Sequence, residues 1–208
     1  MAIHFWNSFV RLGYFSIHTL LLKVLLLMIE RIHNLALKDP LTGAYNWRYF
    51  SETAMRELQK ARRGNTPITI VYSDLDNFKT VNDTLGHEAG DELIRKTVTI
   101  YKEAIRPHDL LARIGGDEFA LLLPETDLEG ARIVLNRVRD KLLEEMTRLG
   151  YPVTVSMGAV TFRIPPSTVE ELIKRADDLM YKVKRAGKNA VSISEWPEPF
   201  NEPGKTGL

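Results

Sequence analysis

Two spacings of apolar residues alternate along most of this chain. Helical spacing runs through "YFSETAMRELQKARR" (49–63), where "GNTP" closes it. It returns in "EAGDELIRKTVTIYKEAIR" (88–106), "DLEGARIVLNRVRDKLLEEM" (127–146) and "TVEELIKRADDLMYKVKRAG" (168–187). Between these lie short β-branched or leucine-rich runs: "ITIVYSDLD" (68–76), the hairpin "LLARIGGDEFALLLP" (110–124), "VTVSMGAVTF" (153–162) and "AVSIS" (190–194). Strands that alternate with helices, plus one tight hairpin, predict an α/β (α+β) domain over residues 39–195. Its sheet is expected to be mixed and covered by helices, not all parallel.

Residues 1–38 follow another pattern. "FSIHTLLLKVLLLMIERIHNLALK" holds no glycine or proline, and Leu21, Leu25, Met28, Ile32 and Leu35 recur at 4-3-4-3 spacing, the seam of a dimeric helical stalk. Leu20, Leu22, Leu26 and Leu27 widen the apolar surface beyond that seam, which also suits contact with a membrane. A full span has to carry Lys23 and His18, and a mid-span lysine costs about 2.5–3.5 kcal/mol on insertion scales. The start "MAIHFWNSF" lacks the basic region of a secretory signal. The last segment, 196–208, holds three prolines and two glycines and reads as a loose tail.

Composition removes several function classes. With no cysteine there is no disulfide framework, no thiolate nucleophile and no cysteine zinc site, and a reducing cytoplasmic setting is expected. His4, His18, His33, His87 and His108 make no pairwise metal spacing. A net charge of +1 gives no global field for nucleic acid, so no nucleic-acid partner is expected.

The acidic residues are less ordinary. In "RIGGDEF" (113–119) Asp117 and Glu118 open a strand that is otherwise Leu and Ala, after a glycine pair expected to supply positive φ at the turn. Asp74 and Asp76 stand two apart at the end of "ITIVYSDLD", on one face of the strand. Alone, such aspartates read as turn formers or helix caps. If strand 68–75 lies beside the 110–123 hairpin, Asp74 and Asp117 converge, and packed carboxylates repel unless a cation sits among them. Hard oxygen ligands suit Mg²⁺, and a two-metal centre for phosphoryl transfer needs such a cluster. "NFKTVNDTLGHEAGDEL" (77–93) adds Lys79 to neutralise phosphate charge and His87 between Asn82 and Asp91, both suited to a base edge. A carboxylate that accepts two parallel N–H bonds fits guanine and not adenine.

These blocks together resemble the GGDEF family of diguanylate cyclases, which join two GTP into cyclic di-GMP. The resemblance runs from about Asp39 to Ser194 through "DPLTGAYNWRYF", "DLDNFKTVNDTLGHEAGD", "RIGGDEF", "SMGAV" and "ADDLMYKVKRAGKN". It implies a palm-like domain with a central, mostly antiparallel sheet. Asp74, Asp117 and Glu118 match the metal-binding acids, with two Mg²⁺ per site or Mn²⁺ in their place, and Leu75 matches the residue whose carbonyl joins them. Asp117 also matches the base for the 3′-hydroxyl, and Lys79 the transition-state stabiliser. Asn82 and Asp91 match the guanine readers, His87 a substrate contact, and Lys184 and Lys188 the terminal-phosphate holders. Arg106 and Asp109, with five residues between Asp109 and Gly115, match an inhibitory RxxD site for product, to which Arg137 could add an arm. Catalysis then requires a homodimer. The alternative is a silent domain that only receives cyclic di-GMP. Three positions depart from the family's commoner residues: Lys188 for Arg, which loses the bidentate fork, Ala44 for Leu and Trp47 for Arg.

Overall fold

The computed structural model describes residues 2–35 and 37–197, with side chains of the first helix described for 10–29. The chain divides into two compact units between Leu37 and Lys38. The first is the helix α1 (Ala2–Leu35). Every side chain from Val10 to Ile29 is exposed, including Leu21, Leu25 and Met28 of the expected seam. The seam's Ile32 and Leu35 lie outside the described side chains.

The second unit is built on a six-stranded sheet in the order β1-β3-β4-β2-β5-β6. Its strands are β1 (Tyr45–Asn46), β2 (Ile68–Asp76), β3 (Leu110–Arg113), β4 (Glu118–Pro124), β5 (Thr154–Phe162) and β6 (Val191–Trp196). The central pairings β3–β4, β4–β2 and β2–β5 are antiparallel, while β1–β3 and β5–β6 are parallel. The sheet is therefore mixed and mostly antiparallel. Strand β6 runs through Trp196, one residue into the stretch that read as tail; the Arg175 guanidinium lies 3.5 Å from the Trp196 ring centre. The rest of that tail, 198–208, lies outside the described residues.

Strand β2 is buried along its whole length, and its side chains alternate between two cores. Ile68, Ile70 and Tyr72 face α2 (Trp47–Gly64) and α6 (Val169–Ala186) through Phe50, Leu58, Leu172 and Met180. Val71 and Leu75 face α4 (His87–Ala104) and α5 (Leu128–Leu149) through Leu93, Val98, Leu135 and Val138. Two hydroxyls of β2 are buried with partners: Thr69 bonds Thr161, and Ser73 accepts from Tyr101 at 2.8 Å. Helix ends follow the sequence signals. Asn46, Asp127 and Thr168 cap α2, α5 and α6 with side-chain oxygens, and α4 stops at Ala104, ahead of Pro107.

One close approach fixes α6 on the sheet. A Cβ on Gly158 of β5 would lie 2.1 Å from the Ala176 carbonyl oxygen and 2.2 Å from the Met180 nitrogen, both backbone atoms. Only glycine lets the helix rest there.

Candidate active site

The antiparallel register of β2 and β4 sets Asp74 opposite Glu118, and the Leu75 N–H donates to the Asp117 carbonyl at 3.1 Å. The predicted convergence of strand and hairpin therefore exists. Asp74 is 7% exposed and its carboxyl pKa is raised, first by burial and then by the charges of Asp117 and Glu118. Lys184 of α6 opposes this with an ion pair to Asp74 Oδ2 at 2.6 Å. The Tyr72 hydroxyl beside Glu118 is also pushed up, by burial first and by Glu118 and Asp177 next.

Asp76 does something else. Its carboxylate accepts from the Thr154 and Ser156 hydroxyls, each at 2.8 Å, and from the Asn189 N–H at 3.1 Å. It thus ties β2 to β5 and to the α6–β6 turn, while Asp74, on the same face, meets the Lys184 ammonium. Asn77 extends that tie: it accepts from Lys188 Nζ at 2.8 Å and donates to the Pro152 carbonyl. Lys188 is thereby placed beside the end of the acidic strand.

The glycine pair works by space and not by backbone hand. Gly115 and Gly116 are not among the positive-φ glycines, so the expected left-handed turn is absent there. A Cβ on Gly115 would lie 2.6 Å from Glu118 Oε2, so the missing side chain makes room for that carboxylate. A Cβ on Gly116 would meet nothing within 4 Å, which leaves that side of the turn open.

Helix α3 (Phe78–Leu85) and the start of α4 carry the remaining candidates. Asn82 is half-buried, and a Cβ on Gly90 would lie 1.9 Å from its Oδ1. Its amide therefore lies against the residue that precedes Asp91. The α4 N-cap is Gly86, with no side-chain capping bond, so neither Asn82 nor Asp91 is spent as a cap there. Lys79, His87 and Asp91 are exposed and enter no hydrogen bond or ion pair among the described residues. The structure thus brings Asp74, Asp117, Glu118 and Lys184 together and leaves Lys79, His87 and Asp91 facing solvent nearby in sequence.

The donor set suits a hard cation: one buried carboxylate, Asp74, and two partly exposed ones that repel it, with an ammonium already drawn to the first. Among the described residues, no three acidic or histidine side chains close into a finished cage.

A second cluster lies past the end of α4. Arg106 N–H donates to Asp109 Oδ2 at 2.7 Å, and Asp109 N–H returns a bond to the Arg106 carbonyl at 3.0 Å. The other carboxylate oxygen, Oδ1, is buried without a hydrogen-bond partner. Burial raises the Asp109 pKa, against the pull of the Arg106 N–H and the charges of His108, Arg106 and Arg137. Arg137 reaches from α5 to donate to the Ala104 carbonyl. Arg106 and Asp109 line a cleft of about 270 Å³ with Lys38, Tyr45 and Lys102.

A family model described as "Diguanylate cyclase, GGDEF domain" matches residues 36–190. The chain belongs to the GGDEF diguanylate cyclase family. This GGDEF chain is 38% identical over 168 residues to the probable diguanylate cyclase DgcT of Escherichia coli, covering 78% of itself and 36% of that protein. It is 35% identical over 162 residues to the response regulator PleD of Caulobacter vibrioides, covering 76% of itself and 36% of that protein. It therefore spans little more than a third of the length of these relatives. Among solved structures, the GGDEF domain of DgcB from Caulobacter crescentus in complex with c-di-GMP is similar with a TM-score of 0.68 and 30% identity, over 76% of this chain and 92% of that one. The coiled coil and GGDEF domain of the same protein gives 0.70 and 28%, over 88% and 98%.

Sequence reasoning missed the groups that hold the site in shape. Gly90, Asp76, Asn77 and Tyr72 act through contacts that no local pattern reveals.

Proposed function

We propose that this chain is an active diguanylate cyclase that condenses two GTP into cyclic di-GMP and two pyrophosphates. The observation that carries this reading is Asp74, buried among Asp117 and Glu118 with Lys184 upon it. Mg²⁺, or Mn²⁺ in its place, would be held by Asp74, Asp117, Glu118 and the Leu75 carbonyl, and supplies neutralising charge at the attacking and leaving oxygens. Asn82 and Asp91 read the guanine edge, with His87 beside the substrate. Lys184 and Lys188 hold the terminal phosphates and Lys79 faces the charge that builds on the α-phosphate. Asp117 takes the 3′-hydroxyl proton. The O3′–Pα bond forms as the bond from Pα to the pyrophosphate oxygen breaks, and the same exchange in the other half-site closes the ring. One domain supplies one half, so two copies must face each other.

The Arg106–Asp109 cleft supports product binding. Asp109 Oδ1, buried with no hydrogen bond and only His108 Nε2 facing it at 3.9 Å, becomes an acceptor for a guanine edge once the side chain turns outward, and Arg106, Lys38 and Lys102 supply charge for phosphate. The domain of DgcB, solved with c-di-GMP, is a relative of the same fold. Substrate and product both place the domain on the cytoplasmic side. For α1, the surroundings that fit are a second helix along the seam and hydrocarbon elsewhere. Val10–Ile29 has a mean hydropathy of 1.9, and twenty helical residues span about 30 Å.

Purified protein incubated with Mg²⁺ and either GTP or ATP, its products resolved by mass, tests this. Cyclic di-GMP from GTP alone, lost in Asp117→Ala and increased in Arg106→Ala, is expected. If both wild type and Arg106→Ala are silent at high protein concentration, the domain is a receptor, and cyclic di-GMP binding replaces turnover as the function.

A further inference from the structure

The turn that presents Asp117 is tied to β2 at Asp117, whose carbonyl accepts from the Leu75 N–H at 3.1 Å, but the two glycines before it have little to hold them. Gly115 and Gly116 have no side chains to pack, and their nearest backbone bonds are Ile114 N–H to the Glu118 carbonyl at 2.9 Å and a longer one from Gly115 N–H to the same oxygen at 3.4 Å. What faces both glycine carbonyls is one guanidinium. Arg113 Nε lies 3.1 Å from the Gly115 and the Gly116 oxygens, and Nη2 lies 2.8 Å from the Gly116 oxygen. A planar fork with fixed donors suits two successive carbonyls in a way an ammonium does not.

Arg113 is itself held from outside the hairpin. Its Nη1 donates to Asp39 Oδ1 at 3.1 Å, and both side chains are mostly buried, 16% and 17% exposed. The same Asp39 oxygen accepts from the Thr42 N–H at 2.9 Å and the Thr42 hydroxyl at 2.6 Å. Asp39 N–H in turn donates to the Ala44 carbonyl at 2.8 Å, and Gly43 N–H donates back to Asp39 at 2.9 Å. The segment 39–44 is thus a closed turn, and it leads into β1, where Asn46 stands opposite Arg113. Asp39 gives Arg113 a fixed anchor, and Arg113 gives the glycine carbonyls a fixed frame.

We infer that Arg113 is a positioning residue for Asp117, and that Asp39 sets its place. The inference rests on the cyclase reading above for its kinetic consequence, while its structural consequence stands apart from turnover. Removal of the guanidinium frees two carbonyls directly ahead of the acid, and a misplacement of about 1 Å at a reacting group can cost on the order of 100-fold in rate.

Arg113→Gln, Arg113→Lys, Asp39→Asn and the double variant Arg113→Gln/Asp39→Asn in the full chain test it. Arg113→Gln should lower kcat by about tenfold or more with KM for GTP within about twofold, because the acid and not the bound nucleotide is displaced. Arg113→Lys should recover only part of the loss. The double variant should be no slower than Arg113→Gln, since Asp39 acts through Arg113. Amide hydrogen exchange should quicken over residues 114–118 in Arg113→Gln while β2 and β5 stay protected. Wild-type kcat in Arg113→Gln, additive losses in the double variant, or a loss that follows a general drop in melting temperature would each overturn the inference. If wild type itself does not turn over GTP, the cyclase reading fails, and unchanged exchange over 114–118 remains the result that defeats the positioning role.

Discussion

At the scale of single residues, the glycines of the site are there for what they leave out. Gly115 yields space to Glu118 and Gly90 yields space to Asn82. Gly90→Ala is informative because alanine favours a helix over glycine by about 1 kcal/mol, so the fold gains while the site loses. The new methyl meets the end of a movable amide and the Phe78 ring, at 3.3 Å, so Asn82 swings and α4 stays. KM for GTP should rise several-fold with melting temperature unchanged or higher. A KM equal to wild type would mean that Asn82 does not touch the base. The residues that carry charge were legible in the sequence: Asp74, Asp117 and Glu118 come together as strand and hairpin implied, whereas the pairing of Lys184 with Asp74 was not foreseen. The residues that shape their surroundings were not. A glycine kept empty for a side chain eight positions earlier has no local signature, and Asp76 looks like Asp74 until Thr154, Ser156 and Asn189 are seen around it.

At the scale of elements, the long amphipathic helices followed their apolar periods because one face of each is buried over many residues, and the central strands showed as continuous apolar or β-branched runs because both their faces are buried. Strand β1, of two residues, and the eight-residue α3 lie below the length at which periodicity speaks. The entry turn 39–44 shows how such small pieces are stabilised. Burial alone pushes the Asp39 carboxyl up, but Thr42 and Arg113 together hold its pKa below the usual 3.8. A depressed folded pKa stabilises the native state above the unfolded value and loses that contribution as pH falls through the folded one. The melting temperature of Asp39→Asn should therefore lie below that of wild type at pH 7, and the gap should close as pH falls below about 4. A gap that stays constant down to pH 2 would mean that the charge of Asp39 contributes nothing to the turn.

At the scale of the whole molecule, the two units are of opposite character. The globular unit buries its apolar residues on two faces of one sheet, whereas α1 exposes them on all sides from Val10 to Ile29. Three of its polar side chains turn back on the helix, while Arg11 and Lys23 stay exposed: Ser16 and Thr19 donate to the carbonyls of Leu12 and Phe15, and His18 contacts that of Tyr14. Back-bonded hydroxyls carry no unmet donor into an apolar surround. A helix that gathers copies raises the effective concentration of facing domains. Removal of residues 1–37 should lower specific activity as the protein is diluted, with least effect at high concentration. The same dilution curve with and without α1 would separate that helix from catalysis.

The bare contact at Gly158 makes α6 a lever. Its backbone touches β5 at Ala176 and Met180, with no side chain between to cushion it. Lys184 stands four residues beyond Met180, about 6 Å along the helix axis, and Lys188 follows past the helix end. A tilt of the helix about this pivot carries Lys184 with it, together with its buried neighbour Val183. If the two lysines hold the phosphates as proposed, the accuracy of that grip is set at a position that never meets them.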